Sequence, residues 1–424
     1  MPNTETHRAP WANPANIGEH VLPPHAAFLD EKHLCLNGDW LFRCAQALPE
    51  GNPPFWATDS GTGDDWSTIR VPGCWEPQGF GRPYYFACGL PAFIRTEEGR
   101  IPDIDETQVY VGQYRRTFSA PEVPAGGRAV LCFGGVKSAF RCWLNGVYAG
   151  FGKGSMLPVE FDVTSLLHPG ENTLAVEVRA FSDAVYLEDQ DMWHMAGIYR
   201  DVTLRVEPRC ALLDAQVIAD CDGSLRITAE TRGGDAVRAR LWDGETLLAG
   251  GTAAPGAALE LTCPPAHLRL WSAETPNLYT LRLTLLDGGM PADEKNLEVG
   301  FRRIEIDGER LLCNGMPIKL RGVNYHAFTP TGGYYVPKAV YERDLTTMKQ
   351  HNINAIRTSH YPQDEVFYTL CDRLGIYVMD ECNVESHGVR DKNVPGNDPL
   401  WTDAVVDRMR RMVVRDRNHQ SVVI

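Results

Sequence analysis

Three short stretches hold the residues whose types and spacing could do chemistry. The string "YLEDQDMWHMAGIYRDVTL" (186–204) puts Glu188, Asp189 and Asp191 within four positions, with Trp193 close behind. Carboxylates beside an aromatic ring suit a polyol, since oxygens accept hydroxyl hydrogen bonds and the ring stacks on a sugar face. Carboxylates also ligate hard cations. A charged edge loop with a buried tryptophan fits the bare residues equally well. The string "IRTSHYP" (356–362) offers Arg357 and His360, against the alternative of a surface arginine and a satisfied core histidine. In "DECNVESHGV" (380–389), Glu385 and His387 are two apart. In an extended segment they point the same way, as two ligands of one metal ion would. Asp380 and Glu381 are adjacent, so they point to opposite faces and cannot together flank one glycosidic bond.

The elements that must position these residues follow three grammars in turn. Residues 1–34 are rich in Pro, Asn and His without a period and read as an extended arm. From 35 to 206 come short β-rich runs, among them "QVYVGQYRRTFSA" and "NTLAVEVRAFS". Asn145-Gly146 sits between two such runs as a two-residue hairpin turn, because both residues tolerate positive φ. Many short strands and few helical patterns predict a jelly-roll sandwich. Residues 207–302 continue as strands; Leu281, Leu283 and Leu285 alternate with Arg282 and Thr284, which face the other way. A stretch of this size suits an immunoglobulin-like sandwich. From 303 to 424 strands and helices alternate. The strands are "IKLRGVNYH", "NAIRTSH" and "IYVMDECN", and "SVVI" begins a fourth. The helices are "VPKAVYERDLTTMKQHN", "DEVFYTLCDRLG" (closed by Gly375) and "DPLWTDAVVDRMRRMVVRDRNH". The last is expected to carry an apolar stripe of Trp401, Val405, Met409, Met412 and Val413. Repeating β-α with apolar strands implies a parallel sheet covered by helices, here the first half of a (β/α)8 barrel. Polar residues cluster at the C-terminal strand ends: Asn324 and His326, Arg357 and His360, Asp380 and Glu381. That edge is where such barrels build active sites.

Composition narrows the function classes. The net charge of −14 argues against nucleic-acid and anionic-membrane partners. The first twenty residues contain no apolar core of a signal peptide, and no run of about 18 apolar residues occurs, so a cytoplasmic protein is expected. The 12 cysteines lie singly among apolar residues, with no CxxC pair, and read as small buried hydrophobes in a reducing compartment.

Taken together, "LEDQDMWHMAGIYRDVTL", "GVNYH", "MKQHNINAIRTSHYP", "YTLCDRLGIYVMDECNVESHG" and "RDRNHQSVVI" resemble glycoside hydrolase family 2, and within it the lac-type β-galactosidases. The family order is a jelly-roll sugar-binding domain, an immunoglobulin-like domain and a (β/α)8 catalytic barrel. The resemblance implies retaining hydrolysis of terminal β-D-galactosides such as lactose, in a protein that is a homo-oligomer when full length. It implies that Asp191 approaches the galactosyl group and helps hold Na+. His326 and His360 would bind galactose hydroxyls, Arg357 would orient the nucleophile, and Glu385 and His387 would be Mg2+ ligands. Tyr85 matches the tyrosine of a family Tyr-Thr-Asn string, but Ala87 stands where the asparagine would be. Both catalytic glutamates are expected beyond Ile424, so the 424-residue chain alone is expected not to turn over. The competing expectations are a non-catalytic carbohydrate-binding or assembly module, and another family 2 activity such as β-glucuronidase or β-mannosidase.

Overall fold

A computed structural model of the chain describes residues 8–29, 31–47, 54–58, 63–87, 89–97, 99–392 and 394–424. The first layer pair is a β-sandwich. Its larger sheet has eight strands: Gly18–Glu19, Val147–Ser155, Val136–Leu144, Glu171–Arg179, Tyr110–Ser119, Gly38–Gln46 and Ser67–Val71 in order, with Gly197–Ile198 added beside Val136–Leu144. It faces a four-stranded sheet of Val159–Asp162, Arg128–Phe133, Val202–Glu207 and His33–Cys35. Trp40, Phe42, Trp75, Tyr114, Phe133, Phe140 and Phe161 fill the space between. The Asn145-Gly146 turn forms as read from its composition, with φ of 53° and 80°. The N-terminal arm is not a free tether. Gly18 and Glu19 pair with Gly152 and Phe151, and Leu29 bridges to Asn296, so the arm's backbone groups are spent on both sandwiches.

The second sandwich sets Ala211–Ala219, Ser224–Arg232 and Leu259–Thr262 against Thr246–Ala253, Ala236–Asp243, Tyr279–Asp287 and Met290–Val299. Leu281, Leu283 and Leu285 are fully buried between the sheets. Thr284 does face the other way, but it is buried too, under the Glu294 side chain across the ladder.

The third unit carries the parallel strands Gly322–Asn324, Ala355–Arg357 and Tyr377–Met379, in the register Asn324–Arg357–Met379. Residues 318–321 are not part of the first of these strands. Helices α1 (Lys338–Gln350), α2 (Glu365–Leu374) and α3 (Thr402–Asp416) connect and cover them. Asp364 caps α2 by accepting from the Val366 N–H, and Gly375 ends it at φ 73°, where its N–H returns to the Cys371 carbonyl. A fourth parallel strand begins as Val423 donates to Val378 and Asp380 donates to Ile424. The second sandwich steadies it, since Arg302 donates to the carbonyls of Gln420 and Val422 at 2.6 and 2.7 Å.

Helix α3 corrects the expected stripe. Trp401 and Met412 are buried, but Met409 and Val413 are about half exposed. The buried face is Ala404, Arg408, Arg411, Met412, Arg415 and Asp416, spaced as one helical face. Beyond Ala404 and Val405, which join Trp401 and Tyr186 in an apolar cluster, the helix lies on polar groups of the first sandwich. Arg411 donates to the Pro158 carbonyl at 2.6 Å, Arg408 to Glu188 at 2.6 Å, and Arg415 clamps Asp416 twice at 2.7 Å. Guanidinium groups have enough donors to satisfy such a surface.

Candidate active site

The parallel register explains where the site forms. Arg357 ends the second strand level with Met379, and Glu381 lies two residues beyond Met379 on the same side. Asp380 points the other way, into the helical layer, where it accepts from Tyr368 at 2.7 Å. Burial and the nearby Asp416 charge push its carboxyl up to about 8. The pair thus splits across the sheet as alternation requires. Glu381 joins the site: Arg357 Nε donates to one carboxylate oxygen, and His360 Nδ1 lies 2.9 Å from the other. Thr358 Oγ1 receives the Glu381 N–H at 2.9 Å, which holds the backbone of this clasp. The carboxylate contact places a proton on His360 Nδ1.

His326 stands edge-on to His360 with ring centroids 5.9 Å apart, and its Nδ1 is 3.3 Å from the Tyr361 hydroxyl. Burial and the neighbouring His360 lower His326 below the ordinary imidazole value, while Asp191 pulls the other way. A neutral imidazole can both donate to and accept from sugar hydroxyls. Asp191 arrives from the first sandwich. It is exposed and accepts a 2.7 Å hydrogen bond from Tyr85. The sandwich pair Asp191 and Tyr85 therefore lies beside the barrel residue His326, on which the Asp191 charge acts.

The other two carboxylates of the 186–204 string do not face it. Glu188 is 1% exposed and accepts from Arg408 at 2.6 Å and Ser155 at 2.5 Å, with Lys137 Nζ 3.8 Å away. It locks α3 to the sandwich. Asp189 is buried and accepts the Gly388 N–H. Burial pushes it up to about 6, and the like charge of Glu385 adds to that against the opposing pull of Gly388 and His387.

Glu385 and His387 do meet, with Oε1 and Nδ1 3.5 Å apart. The segment is not a strand; a 3-10 turn begins at His387, and the Glu385 N–H is tied to the Leu187 carbonyl at 2.8 Å. Two donors on neighbouring corners of a magnesium octahedron sit about 3 Å apart, given bonds of about 2.0–2.1 Å. The spacing fits. The Arg390 guanidinium, 2.8 Å from His387 Nε2, must then be displaced or tolerated beside a cation. Among the described residues, no three His, Cys, Asp or Glu side chains converge on one point, at Asp191 or elsewhere. The eleven described cysteines are all free thiols. No helix among the described residues is long and apolar enough to cross a membrane.

Sequence reasoning placed Glu381 at the active edge without its role as partner of Arg357 and His360, and it missed Tyr361 and the buried Gln190–Asn383 hydrogen bond of 2.9 Å that ties the first sandwich to the barrel loop. Nothing local points to the last two.

Three family models match the chain in succession. They are the sugar binding domain of glycosyl hydrolases family 2 at residues 34–208, a second domain of that family at 203–302, and its TIM barrel domain at 304–424. A curated β-galactosidase of Enterobacter cloacae is 39% identical over 452 aligned residues, covering 98% of this chain and 43% of the relative. The chain therefore spans less than half the length of that relative. Among solved structures, Ruminococcus gnavus β-glucuronidase matches with TM-score 0.74 at 22% identity, over 95% of this chain and 67% of that one. Its complex with uronic isofagomine matches at TM-score 0.76 and 22% identity, over 95% and 68%. At that identity the likeness concerns the fold.

Proposed function

The chain belongs to glycosyl hydrolases family 2, and from that premise we propose that it supplies the galactose-binding frame of a retaining β-galactosidase. The observation that carries this reading is the cluster of His326, Arg357 and His360 at the barrel strand ends, with Asp191 and its partner Tyr85 from the sandwich near enough for the Asp191 charge to act on His326. Two imidazoles, a carboxylate and a guanidinium make a set of directed polar groups, which is what ring hydroxyls require. The named galactosidase relative favours galactoside over glucuronide. The solved β-glucuronidases do not reverse this, since their likeness is at 22% identity.

Hydrolysis with retention needs two carboxylates about 5–5.5 Å apart, one as nucleophile and one as acid and then base. The residues of this site serve around that pair. His326 and His360 hold hydroxyls, and Arg357 presents charge toward an anionic nucleophile. Glu385 and His387 would hold Mg2+, which when bound supplies positive charge that tunes a nearby acid/base group. Asp191 would contribute to a Na+ site. We place the protein in the cytoplasm and expect the full-length form to be a homo-oligomer. The test has two arms. Calorimetric titration of residues 1–424 with galactose should show binding, and the same polypeptide should not hydrolyse o-nitrophenyl galactoside at an enzymatic rate. The full-length gene product should prefer galactoside over glucuronide and mannoside in a nitrophenyl panel. Preference for either of the others refutes the substrate assignment.

A further inference from the structure

The turn that follows the second parallel strand serves both active-site histidines. Tyr361 donates its N–H to the Thr358 carbonyl at 2.8 Å, which closes residues 358–361. The turn aims His360 at Glu381 and lays Tyr361 against the His326 ring, with centroids 5.8 Å apart. The first sandwich anchors it, since Arg200 donates to the Pro362 carbonyl at 2.9 Å. Tyr361 is 2% exposed, and burial pushes its phenol up, so the hydroxyl keeps its proton. That hydroxyl has one proton and two lone pairs to place. The Ala327 backbone N–H bonds to the oxygen. Among the described residues, the side-chain partner of the hydroxyl is His326 Nδ1, 3.3 Å away. Were the ring to donate from Nδ1, the phenol proton would be buried without an acceptor, the costlier arrangement. Burial and the His360 charge hold His326 below the ordinary imidazole value, so near pH 7 the ring is neutral and carries a single proton. That proton therefore sits on Nε2, and Nδ1 accepts.

We propose that Tyr361 is a positioning residue of the galactosyl site: its hydroxyl donates to His326 Nδ1, so that His326 meets a sugar oxygen only as a donor, through its Nε2–H. This rests on the galactoside reading of the site. Tyr361 is too deeply buried to touch a ligand and acts through the histidine. His360 carries the opposite constraint at the same ring atom, because Glu381 holds a proton on its Nδ1. The two edge-on rings are thus one residue type with two settings, Nδ1 accepting in His326 and donating in His360. An imidazole without such a partner exchanges tautomers and offers a sugar hydroxyl a mixture of donor and acceptor. Fixing the tautomer in the free protein removes that ambiguity before the sugar arrives, which is preorganisation. Adjacent residues of one turn, His360 and Tyr361, divide the work.

The test reads tautomer and affinity separately. Long-range nitrogen–proton NMR of the 424-residue polypeptide, with the His326 signals assigned by their loss in His326→Ala, should show Nδ1 bare and Nε2 protonated before any sugar is added. Tyr361→Phe keeps the ring and removes the hydroxyl. A population protonated on Nδ1 should then appear, and galactose should bind about fivefold more weakly, the value of one neutral hydrogen bond. In a His326→Ala background the same substitution should cost no further affinity, because Tyr361 acts through the histidine. A wild-type His326 protonated on Nδ1, a tautomer unmoved by Tyr361→Phe, or an equal loss of affinity with and without His326 overturns the positioning role while the galactose site stands. Should Tyr361→Phe fail to fold, the wild-type tautomer alone still confirms or overturns the hydrogen bond. Wild type that binds no galactose overturns the galactoside reading, and with it the site that Tyr361 positions.

Discussion

Replacing Glu188 by glutamine should strip much of the adhesion between the first sandwich and α3. Glu188 is 1% exposed, and its two principal cations are as deeply placed, with the side chains of Arg408 and Lys137 at 4% and 3%. One carboxylate answers both, through the 2.6 Å contact to Arg408 and the 3.8 Å approach to Lys137. Removing one partner of a buried pair costs about 3–5 kcal/mol, because the remaining charge stays desolvated without compensation. Glutamine preserves the volume and leaves one acceptor for Arg408, so the lower end applies, about 3 kcal/mol. That is a large share of the roughly 5–15 kcal/mol that holds a typical domain folded.

Lys137 supplies a signature that loss of packing would not. Burial already lowers its ammonium value, and Glu188 is the main group holding it up. Without Glu188 the folded value falls further below the unfolded one. A base whose folded value is depressed weakens the fold as pH falls through the unfolded value, because the unfolded chain then takes up a proton that the folded chain resists. The stability deficit of the variant relative to wild type should therefore be smaller at pH 9 than at pH 7. Urea unfolding followed by tryptophan fluorescence at both pH values reads this out, with midpoints compared within the transition that separates sandwich from barrel. A Glu188→Gln protein within 1 kcal/mol of wild type at pH 7, or with no added pH dependence, would refute the reasoning. Asp191→Asn is the control. It is exposed, so it should leave the midpoint within about 0.5 kcal/mol and weaken galactose binding instead.

Glu381→Leu should move the His360 proton from Nδ1 to Nε2, visible in long-range nitrogen–proton NMR, and weaken galactose binding about tenfold through loss of a charge-assisted hydrogen bond. Glu381→Gln retains an acceptor and should preserve the Nδ1 tautomer. His25 is lowered by its burial, but the charge and hydrogen bond of Glu160 outweigh this and push it up to about 9. Its stabilising contribution is thus complete below the unfolded value of about 6.5 and lost as pH rises through 9. Urea midpoints of wild type should fall between pH 7 and 9.5 more steeply than those of His25→Gln. Added Mg2+ should raise the melting temperature of wild type and not of Glu385→Gln. Arg390→Ala should strengthen that Mg2+ effect by removing the competing guanidinium from His387 Nε2.

Features governed by neighbours along the chain were legible in the sequence. The turn at Asn145-Gly146, the stop at Gly375 and the opposite facing of Asp380 and Glu381 follow from φ preference and strand alternation alone. So does the order of two sandwiches and a βα unit, because a period of two and a period of 3.6 leave different apolar patterns. Burial does not work this way, since it depends on what arrives from elsewhere. Glu188, Asp189 and Asp191 look alike in the string. One became a lock because Arg408, 220 residues later, packs on it, one was buried beside Gly388, and only one stayed open to a ligand. Helix α3 has two candidate faces, and its arginine face turned inward because the surface it covers presents backbone carbonyls. Periodicity marks a helix's faces, but the chemistry of the surface it lands on decides which one is buried.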